Sequence, residues 1–221
     1  MSSLKVTEKV DQPIEGFFKL ETIDSDGNVI DTFEQKNMIM KRSKASAANA
    51  VMGSSPHEHF INKIVFGDGG HDNGNLLVGQ GFAYEKSSLF SEVDGSGETF
   101  TLLFDPQART GQGDTVLIKE LKTGVITTTN QQSTVKINII NVSTNQYVFD
   151  ISPGSANADT GTGVKPWTEA ALYTKNGDSF DYLNEVMGDK GLNGQIFAMR
   201  TFPAKIKDNS TTFRVTWEIV F

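Results

Sequence analysis

Phe213, Val215, Trp217, Ile219 and Phe221 alternate with Arg214, Thr216, Glu218 and Val220. Successive side chains of a strand point to opposite faces, whereas a helix would spread these five large residues around its circumference. The stretch therefore predicts a half-buried β-strand, and its apolar wall requires a partner sheet to cover it. Such a strand is structural and belongs near the centre of its sheet.

Most of the remaining chain repeats this signal more weakly. Residues 17–23 and 28–33 are strand-like runs flanking Asp24-Ser25-Asp26-Gly27. Asp-Gly between two such runs predicts a hairpin, because glycine accepts the positive φ that the turn demands. Further strands are expected at residues 61–66, 100–104, 116–121, 125–129, 147–151, 170–173 and 195–202, the last stopped by Pro203. Val135, Ile137 and Ile139 alternate with Lys136 and Asn138 as a half-buried strand. Residues 43–52 alone look helical: Ala47, Ala48, Val51 and Met52 share one face, Ser43 is placed as an N-cap, and Gly53 and Pro56 provide a stop. Gly-rich loops occupy residues 67–81 and 152–166.

The expected fold class is all-β, mainly an antiparallel β-sandwich, with one short Ala-rich helix and long Gly-rich loops. Residues 1–16 read as an N-terminal arm. Residues 17–221 read as one domain of the sandwich type, with a possible insertion at about 85–165.

Composition narrows function mainly by exclusion. The 221 residues contain no Cys, which removes disulfides, thiolate nucleophiles and thiolate metal sites. Twenty Lys+Arg against 27 Asp+Glu leave a net charge of −7 without a basic cluster, so a nucleic-acid partner is not expected. A membrane partner is not expected either: no apolar run approaches the roughly 20 residues of a spanning helix, and the first residues lack the apolar core of an export signal.

Several residue groups invite chemistry. His57, His59 and His71 lie close in sequence, with Glu58, Asp68 and Asp72 nearby. Two histidines two apart on a strand share a face, and a third from the next loop would complete a zinc or nickel site. The plainer alternative is a surface loop after Pro56, since the spacing matches no established zinc signature. Asp24-Ser25-Asp26-Gly27-Asn28 resembles the start of a calcium loop, but Val29 and Gln35 stand where that loop needs Gly and Glu, and the hairpin turn accounts for the same residues. Gly67-Asp68-Gly69-Gly70 lacks the Lys-Ser/Thr pair of a phosphate loop and reads as a flexible loop. No Gly-x-Ser-x-Gly elbow is present, and no catalytic residue or cofactor is assigned. Exposed tryptophan would suit a sugar-binding sandwich. Trp217 lies on the apolar face of its strand, and Trp167 opens one, a position where a ring more often packs than protrudes.

The order of these elements resembles that of a group of tailed-phage virion proteins. The opening hairpin at residues 24–33 leads into Lys36-Asn37-Met38-Ile39, then the Ala-rich segment at 45–52, then a strand running into glycine at 61–70. Toward the end come Glu169-Ala170-Ala171-Leu172, then Phe197-Ala198-Met199-Arg200-Thr201-Phe202-Pro203, then residues 213–221. The match covers the two ends of the chain, about half its length. The resemblance implies a non-enzymatic building block of the tail, baseplate, collar or fibre-attachment region, located in the virion and assembled in the host bacterial cytoplasm. Its implied partners are other virion proteins and copies of itself. Alternatives are a capsid decoration protein and a carbohydrate- or receptor-binding module of a tail fibre. Interfaces are expected from the arm at 1–16 and the loops at 67–81 and 152–166.

Overall fold

A computed structural model describes residues 14–41, 43, 60–92, 97–104, 115–122, 125–128, 133–141, 143–155, 166–174 and 196–221. Strands β1 (Glu15–Ile23) and β2 (Val29–Ile39) form the expected hairpin. Its turn places Gly27 at φ +85°, and the Asp24 side chain accepts the amides of Asp26 and Asn28 at 3.0 and 2.8 Å. The bonds from Asn28 hold the Asp24 carboxyl below its ordinary range. β1 begins inside the stretch read as an arm.

Next come β3 (Ile61–Gly67), β4 (His71–Asp72), β5 (Asn75–Gly79), β6 (Thr99–Leu103), β7 (Thr115–Leu117), β8 (Lys119–Lys122) and β9 (Val125–Thr128). They are followed by β10 (Thr134–Asn141), β11 (Thr144–Ile151), β12 (Trp167–Thr174), β13 (Ile196–Lys205) and β14 (Thr212–Val220). Twelve of these strands form one sheet in the order β7-β10-β11-β14-β1-β2-β13-β12-β3-β6-β8-β9, and β4 with β5 forms a separate ribbon. Every described ladder is antiparallel. β14 lies between β1 and β11, the interior position its alternation predicts. Strands from within 85–165 extend both ends of the row.

The row curls because two stretches of chain each serve both halves. β2 pairs with β1 as far as Asn37, then Met38 and Ile39 pair with Met199 and Ala198 of β13. On the other side, β7 pairs with β10 while β8 pairs with β6, with only Ile118 between them. Ile118 is buried, and its amide donates to the Ser133 carbonyl at 3.0 Å. Strands that change partners at a bend are a common way to turn a sheet corner. The interior this creates is aromatic. Phe18 stacks on Phe202 at 5.7 Å and meets Trp217 edge-on at 4.8 Å. Phe66 reaches Phe213 at 6.4 Å, and Phe104 reaches Phe149 at 5.5 Å. Each such pair contributes about 0.5–1.5 kcal/mol beyond its buried area.

Pro203 does not end β13. The ladder is irregular opposite it, stepping from Trp167↔Lys205 to Glu169↔Thr201, so the residue without an N–H falls where pairing is already broken. The helix expected over residues 43–52 lies outside the described residues except for Ser43, whose hydroxyl donates back to the Met40 carbonyl.

A second, smaller apolar cluster sits apart from the main core. It joins Met40, Val65, Leu89, Ala171, Tyr173, Ile196 and Met199, with Phe82 and Phe90 packed against it. All eight residues of β12 are buried, since the main core covers one face and residues 68–92 roof the other.

Candidate functional site

The roof is held by a buried carboxyl group. Glu169 lies in β12 between Gly67 of β3 and Thr201 of β13, with 0% of its surface exposed. Its Oε2 accepts the Phe90 amide at 2.9 Å, and its Oε1 accepts the Ser91 amide at 2.8 Å and the Ser91 hydroxyl at 2.5 Å. Phe90 and Ser91 open a 3-10 turn, Phe90–Glu92, so Glu169 satisfies amides the turn itself leaves unpaired. Ser91 Oγ in turn accepts the Gly69 amide at 2.8 Å, and Thr168 Oγ1 accepts that of Gly70 at 2.8 Å. A Cβ at Gly67 would stand 2.4 Å from Ser91 Oγ and 2.5 Å from Glu169 Oε1, so only glycine fits opposite this clamp. The Gly67–Gly70 stretch, read from sequence as a flexible loop, is thus pinned at two amides.

Beside the clamp, the Tyr173 hydroxyl donates to Glu92 Oε2 at 2.6 Å, which also accepts the Leu89 amide at 2.9 Å. Burial pushes the Tyr173 hydroxyl well above its ordinary range, and the neighbouring Glu92 adds to the shift. Lys86 lies 3.8 Å above the Phe90 ring. Loss of solvent pulls its ammonium pKa down, against the opposing influence of Glu169 and Glu92. The donors and acceptors of Glu169 and Ser91 are engaged within the fold, so the cluster acts as a fastener.

The roof carries a projecting ribbon. β4 and β5 turn at Asn73-Gly74, where Gly74 has φ +82° and its amide donates to His71 Nδ1 at 3.0 Å. The ribbon is anchored at its base, where Gly70 accepts from the Gln80 amide at 2.7 Å and Thr201 Oγ1 donates to the Gln80 carbonyl at 2.8 Å. Leu76, Leu77 and Val78 nonetheless face solvent, with Leu77 80% exposed. They are three consecutive exposed apolar residues of β5, with Leu77 on the face opposite Leu76 and Val78.

A cavity of about 300 Å³ opens where β2 passes from one half of the sheet to the other. Ile14, Met38, Ile39 and Tyr84 wall it, Glu15 and Lys36 border it, and Gly16 and Asn37 complete it. Asn37 is 8% exposed, and neither its Nδ2 nor its Oδ1 has a partner. Leaving such a group unpaired costs about 1–3 kcal/mol.

Of the histidines singled out by sequence, His57 and His59 lie outside the described residues. His71 is committed to the ribbon turn, Asp72 accepts from the Asn73 side chain at 3.0 Å, and Asp68 accepts the Glu98 amide at 2.8 Å. Among the described residues no group of three or more metal-binding side chains gathers. Both tryptophans are buried: Trp167 packs against Phe66 and Phe100, and Trp217 lies in the main core. In the loop at 152–166, Ser152 and Ser155 turn inward to a hydroxyl cluster with Ser133, capped by Lys207 Nζ donating to the Ser152 carbonyl at 2.7 Å. No protein-family model, curated protein or solved structure matches the chain.

Sequence reasoning missed the clamp and the ribbon. Glu169 sits in an otherwise apolar run, and a carboxyl there signals a buried partner, although nothing local identifies Ser91, 78 residues away. The ribbon carried a clearer mark in Asn73-Gly74, a hairpin dipeptide followed by Leu-Leu-Val.

Proposed function

We propose that this chain is a non-enzymatic structural subunit of a tailed-phage particle. It assembles into the tail, baseplate or collar through contacts with copies of itself and with other virion proteins. The observation that carries the reading is the ribbon at Leu76–Val78, which presents adjacent apolar residues to solvent from a base tied into the sheet. An exposed apolar run of this kind gains most when a neighbouring subunit buries it. The order of sequence elements at the two ends of the chain supports the same reading. In this reading the curled sheet is a two-layer β-sandwich whose corners are β2 and Ile118, supported by the ring contacts that reach from β1 to β13 and from β3 to β14.

Quantitative mass spectrometry of purified particles tests the proposal by counting this chain against the major capsid protein. A small symmetric copy number is the expected result. Copies in the hundreds would replace it with capsid decoration, and absence from particles would end the virion reading.

A further inference from the structure

We propose that two copies of this chain join through the ribbon of one and the cavity at Asn37 of the other, with Leu77 as the inserted side chain. The inference rests on reading the chain as an assembling subunit and names the contact by which it assembles. Leu77 is 80% exposed, so it does not fill the cavity of its own chain. The cavity, about 300 Å³, has room for a leucine side chain, and Ile14, Met38 and Ile39 give it apolar walls. A projecting apolar residue and a fitting pocket on the same chain are the ingredients of self-association.

One polar feature favours a second copy of this chain as the occupant. At the rim, Lys36 lies 3.4 Å from Glu15 and 5.6 Å above the Phe17 ring, and its side chain is largely exposed. The ribbon carries the exposed carboxylate of Asp72 at its turn, the opposite charge. Matching a rim charge to the partner favours one register of docking over others.

The test is sedimentation of the full chain from low to high micromolar concentration. The wild type should form a closed oligomer, and Leu77→Asp should weaken association about thirtyfold or more with an unchanged circular dichroism spectrum and melting temperature. Asp72→Lys and Lys36→Asp should each weaken association, and mixing the two variants should restore it, because the reversed charges then face each other. A wild type that stays monomeric throughout overturns the contact, as does a Leu77→Asp variant that associates normally or a charge pair that restores nothing. These outcomes separate from the virion reading itself. A monomer found in purified particles overturns this contact alone, whereas a self-associating chain absent from particles overturns the virion assignment alone.

Discussion

β14 and β12 are both interior strands of one sheet, yet they are buried in different ways. β14 alternates, with Phe213, Val215, Trp217 and Ile219 inside and Arg214 exposed on the other face. β12 has no exposed residue, although it contains Thr168, Glu169 and Thr174. The difference is the roof of residues 68–92. Where the outer face is bare, the hydrophobic effect alone selects every second residue. Where a roof lies on that face, its irregular backbone brings unpaired amides, and the strand must supply acceptors for them. Glu169 and Thr168 are those acceptors. A sheet face can thus be covered by loops provided the strand beneath carries polar groups in register with them.

The comparison predicts two kinds of failure. Trp217→Ala empties the centre of the alternating wall, and equilibrium denaturation should register a loss of about 3–5 kcal/mol in a single transition of the whole fold. Glu169→Gln places an N–H₂ where only acceptors fit. It should cost about 1–3 kcal/mol and act locally. Hydrogen exchange at Phe90, Ser91 and Gly69 should accelerate while the β1–β14 ladder keeps its protection. If those ladder amides accelerate equally, roof and core are one cooperative unit and the contrast fails.

The third prediction concerns Tyr173, which joins the roof to β12 and has a smaller effect. Its pKa is raised in the folded state, so the folded protein holds this proton more tightly than the unfolded chain does. The stability it contributes is complete below the ordinary tyrosine value of 10.0 and is lost as pH rises above it. Tyr173→Phe should therefore lower stability at neutral pH by about 1 kcal/mol, through loss of the bond to Glu92, and flatten the alkaline limb of a stability–pH profile. An alkaline limb identical in both proteins would show that the hydroxyl does not couple roof to strand.

How much of this was legible follows the same divide. The alternation of β14 and the Asp24-Gly27 turn are local signals, and both elements lie where those signals placed them. Period-2 patterning also announced β10, whose Val135 and Ile137 turn to the common core. The roof had no such mark. Residues 80–92 have no period, their partners lie about eighty residues away, and Leu76-Leu77-Val78 resemble core residues although they face solvent. In the sequence Asn37 is one residue of the Lys36–Ile39 stretch, with nothing to mark it. Its unpaired amide emerges from three-dimensional placement alone, where β2 leaves β1 for β13.

The position of β1 between β2 and β14 also has a consequence in time. β1 and β2 are joined by five residues and can pair as soon as both have left the ribosome, whereas Glu15 must wait for Val220. Until then the hairpin offers the edge of β1, with Phe18 and Leu20 uncovered, to any other chain nearby. Long-range closure of this kind is slow compared with local pairing, and intermediates with open edges are prone to mispairing. The vulnerable interval is set by the synthesis of some two hundred intervening residues.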